Sequence, residues 1–259
     1  DVVYDDAQFR RHLATAREAG LRGTLYLGAS GLIGNATKPE ELAALRKRIV
    51  HAKDVAREFG FDEIYFYGFD EAVGDRLVSQ IPAWKAVREA GGKTVVSGYR
   101  EHLAKVGPYL DLCIYADEPE SAQVEKWHAL GQRVWKYNTP QCGPEDPGLF
   151  RRNYGLGNWM SGFDGANTYC DWGRAAGWND IAGAIAQKHN GGTEDGGCLG
   201  RTIACVYATI DGVVETLALT GLSSAIKDVR YMALFRKLLK AHPNAEAQQW
   251  FDGLKPYED

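Results

Sequence analysis

The chain has 259 residues, of which 45% are hydrophobic and 25% charged, and its formal net charge is −4. This is the balance of an ordinary soluble globular protein, long enough for one large α/β domain or two small ones with a substantial core. No long basic block is present, which argues against nucleic acid or an anionic membrane as partner. No stretch is apolar over enough residues to span a bilayer.

The elements alternate along the chain. A helix is predicted around "DAQFRRHLATAREAG" (6–20), stopping at Gly20. "TLYLG" (24–28) reads as a strand. "KPEELAALRKRIVHAKDVAREFG" (38–60) has Pro39 near a helix start, apolar residues at helical spacing and Gly60 at the stop. "EIYFYGF" (63–69) is strand-like, and "DRLVSQIPAWKAVREAG" (75–91) is a helix interrupted or kinked near Pro82. "KTVVSG" (93–98) is a strand followed by a short helix. "LCIYA" (112–116), "PESAQVEKWHALG" (119–131) and "RVWKYN" (133–138) continue as strand, helix and strand. After the loop "TPQCGPEDPG" (139–148), a helical stretch (149–163) leads to the strand "GANTYCDW" (165–172). A Gly-rich excursion covers 173–201, "IACVYAT" (203–209) reads as another strand, and a long helix closes the series at 214–242.

Strand and helix alternate throughout, so the class is α/β with parallel strands. No GxGxxG or GxxxxGK[ST] follows the first strand, which weakens a nucleotide-binding sheet. Polar and aromatic residues gather instead just after several strands: Asp70 and Glu71, Asp117 and Glu118, Tyr137 and Asn138, Asp171 and Trp172. In a (β/α) barrel those strand ends share one face, where active sites are built. The expectation is a single TIM-type (β/α)-barrel domain over 1–259. Six core strands plus "IACVYAT" leave it short of eight: either its first strands lie upstream in a longer parent chain, or the barrel is incomplete.

The Asp-Glu pairs carry the chemistry. A pair of close carboxylates resists double ionisation, so one can stay protonated as a general acid. Glycoside cleavage needs such an acid at the leaving oxygen and a second group at the anomeric carbon. Where the sugar bears a 2-acetamido group, its carbonyl can be the nucleophile, and a neighbouring carboxylate then orients the acetamide. The competing explanation is that Asp and Glu after a strand cap the next helix. In "DEP" (117–119) the Pro fits a first helical turn, which favours capping for Asp117 and Glu118. "FDEA" (69–72) is open to both readings.

The five cysteines show no CxxC spacing, so no zinc site is expected. Cys113, Cys170 and Cys205 lie in apolar strand-like runs and read as buried thiols. Cys142 and Cys198 lie in Gly-rich loops, where a disulfide and a free thiol are both open. The six histidines are scattered without metal spacing. No metal or cofactor is expected. No signal peptide is recognisable, and the chain opens "DVVYDD" without Met, as a mature or excised piece would.

The words "IYFYGFDE", "RVWKYNTPQCGP", "RRNYGLGNWMSGFDGANTYCDW" and "SSAIKDVRYMALF", in that order over roughly residues 60–240, resemble the C-terminal catalytic barrel of glycoside hydrolase family 123. The resemblance implies a retaining β-N-acetylgalactosaminidase. It implies that Asp70 holds the acetamido group, that Glu71 is the acid/base and that Tyr137 hydrogen-bonds the acetamido carbonyl. It implies that Trp135, Trp159 and Trp172 are candidates for a sugar platform and Asn138 and Asp171 for sugar hydroxyls, with Arg151 or Arg152 in support. The expected partner is a carbohydrate, and a secreted or periplasmic location follows from the resemblance alone. Two departures stand out: the last-helix word reads "TGLSSAIKD", with Ser223 and Ser224 where the family carries Arg-Glu, and Ala72 replaces a frequent Pro. The altered last helix, with the missing early strands, motivates one alternative, a non-catalytic carbohydrate-binding or structural barrel; another is a glycosidase drawing its acid and nucleophile from the separate pairs 70/71 and 117/118.

Overall fold

The computed structural model describes residues 6–27, 33, 36–116, 121–137, 146–167, 206–209 and 211–254. Contacts divide the chain into two units, Asp1–Asp117 with Glu125–Val134, and Glu118–Val124 with Trp135–Asp259.

Through the first part of the chain, helices and strands follow one another as the sequence predicts. Helix α1 (Asp6–Glu18) leads to β1 (Gly23–Leu27), α2 (Pro39–Glu58) and β2 (Phe61–Tyr67). The chain between 75 and 91 forms two helices, α3 (Gly74–Val78) and α4 (Ile81–Glu89), with the break at Ser79 and Gln80. Pro82 sits in the first turn of α4, where its missing N–H costs nothing. Strand β3 (Lys93–Gly98), α5 (Arg100–Val106) and β4 (Leu112–Tyr115) follow. Then come α6 (Ser121–Ala129) and β5 (Arg133–Tyr137). Gly20 and Gly60 take left-handed φ values of +85° and +88° just past α1 and α2, a conformation that stops a helix cheaply only at glycine.

Further on, α7 (Pro147–Tyr154), α8 (Leu156–Met160) and β6 (Gly165–Asn167) complete the principal sheet. Its strand order is β1-β2-β3-β4-β5-β6, and the described registers of β1 with β2, β2 with β3, β3 with β4 and β5 with β6 are all parallel. Parallel strands in chain order with helical crossovers are the arrangement of an incomplete (β/α) barrel. Both faces of such a sheet are covered, so β4 is buried along its whole length and β3 everywhere except Lys93. Cys113 is buried on β4, as its apolar run predicts; the other cysteines lie outside the described residues.

Two expectations change. Of the strand predicted at 203–209, residues 206–209 do not join the principal sheet: β7 (Val206–Thr209) pairs antiparallel with β8 (Gly212–Glu215) in a separate two-stranded sheet. The closing helix therefore starts later than 214, as α9 (Leu217–Ala241), capped by the Thr216 hydroxyl accepting from Leu219 N–H at 3.2 Å. The β-branched "GVVE" prefers the pleated ladder to the helix. A last helix, α10 (Ala245–Asp252), was not predicted; Asn244 caps it by accepting from Ala247 N–H at 2.8 Å.

In the first unit, α2 packs on α4 and β2 through Leu45, Ile49, Val55, Trp84 and Val87, each at most 1% exposed. In the second, α7 packs on α9 around Phe150, Tyr154 and Ala225. Arg151 closes that contact with a bidentate pair to Asp228, at 2.6 and 2.8 Å.

The N-terminal ends of the first unit's strands carry an ion cluster: Glu63 of β2 pairs with Lys93 of β3 and reaches Arg133 of β5 at 3.8 Å. Partial burial raises the Glu63 pKa, but Lys93, the Thr24 hydroxyl and Arg133 more than reverse it, so the carboxyl is held below the usual range. Its contribution is thus complete above the unfolded carboxylate pKa and is lost as pH falls through the folded value. Glu63→Gln should cost about 1 kcal/mol at neutral pH, given the exposure of the pair. Urea unfolding at a series of pH values should show the difference from wild type vanishing on acidification.

Candidate functional site

The segment leaving β2, Gly68 to Glu71, is clamped on its backbone before its side chains do anything. Gly68 N–H donates to Val95 C=O at 2.9 Å, and Glu71 N–H to Ser97 C=O at 3.2 Å. Between them Phe69 N–H donates to Gln80 Oε1 at 2.6 Å, from a buried side chain at the start of α4. A Cβ at Gly68 would lie 2.6 Å from Gln80 Oε1, 2.7 Å from Val96 Cγ1 and 2.9 Å from Trp84 Nε1, so only glycine lets the chain pass here. Glu71 is the one non-glycine with positive φ among the described residues, at +46°. Such a backbone costs roughly 1 kcal/mol or more and persists where its surroundings impose it.

Each carboxylate is held by a hydroxyl. Tyr67 donates its phenol proton to Asp70 Oδ1 at 2.6 Å. The same phenol oxygen accepts from Ser97 N–H at 2.9 Å and contacts the Ser97 hydroxyl at 2.5 Å. Burial, reinforced by the Asp70 carboxylate, pushes the Tyr67 phenol far above its usual range, so it remains a donor at any working pH. Tyr99 donates to Glu71 Oε2 at 2.6 Å. Tyr99 is itself fixed at its backbone, where its N–H donates to Nδ1 of buried His102 at 3.0 Å. Asp70 Oδ2 and Glu71 Oε1 take no hydrogen bond from any described residue. Asp70 is exposed and Glu71 half-buried.

Neither residue is a helix cap. Helix α3 begins at Gly74 with Val73 at its N-cap position and no side-chain cap. The capping explanation of "FDEA" therefore fails in its simple form. The residues that hold the pair, Tyr67, Ser97 and Tyr99, were not predicted. Their trace in the sequence is a Tyr three residues before Asp70 and a "SGY" word closing the next strand. Parallel pairing of Tyr67 with Val95 brings the two together.

The other predicted residues divide between the second unit and the undescribed segments. Tyr137 is buried at the end of β5, in register with Asn167 of β6. Trp135 pairs in register with Gly165, and its indole occupies the space a side chain there would need: a Cβ at Gly165 would lie 2.6 Å from Trp135 Nε1. Trp159 of α8 is half-buried, meets Phe251 edge-on at 5.5 Å, and lines a cavity of about 510 Å³ with Tyr154, Phe163, Asn167, Leu222 and Arg230. Arg151 is engaged by Asp228. Asn138, Asp171 and Trp172 lie outside the described residues, as do Asp117 and Glu118. Among the described residues no group of His, Cys, Asp and Glu could hold a metal ion, and no helix is long and apolar enough to cross a membrane.

No protein-family model matches the chain, and no curated protein matches its sequence significantly. Among solved structures it is similar to a mutant Xylanase10C from Cellvibrio japonicus in complex with xylopentaose. The identity is 12% and the TM-score 0.47, over 87% of this chain. The chain spans 57% of that structure's chain. A likeness at this level assigns neither a family nor an activity.

Gly68→Ala should destabilise the first unit by about 1–3 kcal/mol through overpacking. A larger loss of activity than of folded fraction, measured at a temperature where the variant is still folded, would show that the exit segment has also moved.

Proposed function

We propose that this chain is a glycoside hydrolase of the retaining, substrate-assisted kind, acting on β-linked N-acetylhexosamines, with N-acetylgalactosamine the first candidate. One observation carries the reading: two adjacent carboxylates at a strand's C-terminal end, neither capping a helix, are each held by a hydroxyl through one oxygen and open at the other. The order of sequence words resembling glycoside hydrolase family 123 supplies the substrate class.

In this reading Asp70 accepts a hydrogen bond from the acetamido N–H and turns its carbonyl towards the anomeric carbon. The resemblance assigns the hydrogen bond to the carbonyl oxygen to Tyr137. That oxygen forms a bond to C1 as the C1–O bond to the leaving group breaks, and Glu71 passes its proton to the departing oxygen. A water then adds to C1 from the face the leaving group vacated. Glu71 takes its proton, and the bond from the acetamido oxygen breaks. Two inversions at C1 leave the configuration unchanged. The resemblance makes Trp135 and Trp159 candidates for a sugar platform.

A panel of aryl β-glycosides with and without the 2-acetamido group tests this directly. Turnover should be confined to the acetamido sugars, the first-formed product should be the β-anomer by NMR, and Glu71→Gln should lower kcat at least about 100-fold on a substrate that needs acid assistance. Binding of sugar without turnover by the wild type would instead favour a carbohydrate-binding barrel. Cleavage of sugars lacking the acetamido group would favour a protein nucleophile.

A further inference from the structure

We infer that Tyr99 and the Tyr67–Ser97 couple are positioning residues that commit one oxygen of each carboxylate, so that Glu71 exchanges its proton through Oε1 and Asp70 meets the acetamide through Oδ2. This rests on the glycosidase reading and adds to it which atoms act and what aims them.

The geometry separates the two roles. Glu71 is reached by two groups of the neighbouring strand and its exit: Ser97 C=O accepts its N–H, and the Tyr99 hydroxyl occupies its Oε2. Backbone and side chain are thus both fixed from β3, and the left-handed φ of +46° is the conformation that satisfies both. Tyr99 in turn is anchored by His102, whose Nδ1 accepts its N–H. Asp70 is held through its own strand instead, by Tyr67 three residues earlier, with Ser97 N–H behind the phenol oxygen. The lone pairs of that oxygen are directed at Ser97, which orients its proton towards Asp70.

The chemistry then differs at the two carboxylates. A carboxyl that accepts a fixed hydrogen bond at Oε2 carries its transferable proton on Oε1, so the proton leaves from one defined atom. Without the Tyr99 hydroxyl the carboxyl can rotate and present either oxygen, and acid assistance at the leaving oxygen weakens. A carboxylate that only orients an amide loses alignment of the nucleophile instead, whatever the leaving group.

Leaving-group dependence tells these apart. Tyr99→Phe should lower kcat about tenfold or more on a β-N-acetylhexosaminide with a poor leaving group, such as an alkyl glycoside, and little on a dinitrophenyl glycoside, whose departure needs no acid. Its KM should stay within about twofold. Tyr67→Phe should lower kcat on both substrates by similar factors and weaken binding of a thiazoline analogue of the bicyclic intermediate, which Tyr99→Phe should not. Thermal melts confirm folding. If Tyr67→Phe does not fold, Tyr99→Phe and Ser97→Ala carry the comparison, Ser97→Ala following the Tyr67 pattern. Equal effects of Tyr99→Phe on both leaving groups, or none, in an enzyme that Glu71→Gln inactivates, overturn the inference and leave the glycosidase reading standing. A wild type that neither turns over these substrates nor binds the thiazoline overturns both.

Discussion

The hydrogen bond from Glu71 N–H to Ser97 C=O is the contact on which the rest of the site depends. It prolongs the β2–β3 pairing beyond the point where β2 stops being a strand. Parallel pairing alone ends with Gly68 N–H on Val95 C=O. Three residues later the chain returns to the same neighbour, and the detour lets two successive residues display carboxylates beside β3. Glycine at 68 is what makes the detour possible, because the buried Gln80, Trp84 and Val96 leave no room for a side chain there.

The detour is costly, and the surrounding groups show how it is sustained. A left-handed Glu71 is disfavoured by sterics that only glycine escapes. Two hydrogen bonds to Glu71, one from Tyr99 and one to Ser97, each contribute about 1 kcal/mol. The strain and its compensation are thus of the same size. Glycine would adopt the same backbone without strain but would forgo the Tyr99 hydrogen bond.

The fold was legible because parallel, doubly covered strands leave a strong trace: short β-branched runs between amphipathic helices stopped by glycine. All six strands of the principal sheet lie where those runs predict. The hairpin β7–β8 was not legible, since "IACVYAT" has the same composition as a core strand and only its partner distinguishes it. At the site, Asp70 and Glu71 stood out as a polar break after an apolar run. Tyr67, Ser97 and Tyr99 did not, because each belongs to a strand whose composition it fits. Their role depends on the β2–β3 register, in which Tyr67 faces Val95, and register between strands thirty residues apart is not written in local composition.

The company the carboxylates keep sets Asp70 and Glu71 apart from several other carboxylates of the chain. Several carboxylates elsewhere in this protein have a cation as partner: Glu63 with Lys93 and Arg133, Asp228 with Arg151, Asp6 and Glu58 with Arg10, Glu89 with Arg46; Asp146 instead caps α7 through backbone N–H groups. Asp70 and Glu71 are held by phenols, and no described residue forms an ion pair with either. A hydroxyl fixes the position of one oxygen and adds no charge beside it. Glu63, near the N-terminal end of β2, is thus paired with cations, whereas Asp70 and Glu71, past its C-terminal end, are held by phenols, and the C-terminal ends of the strands are where (β/α) barrels build their sites.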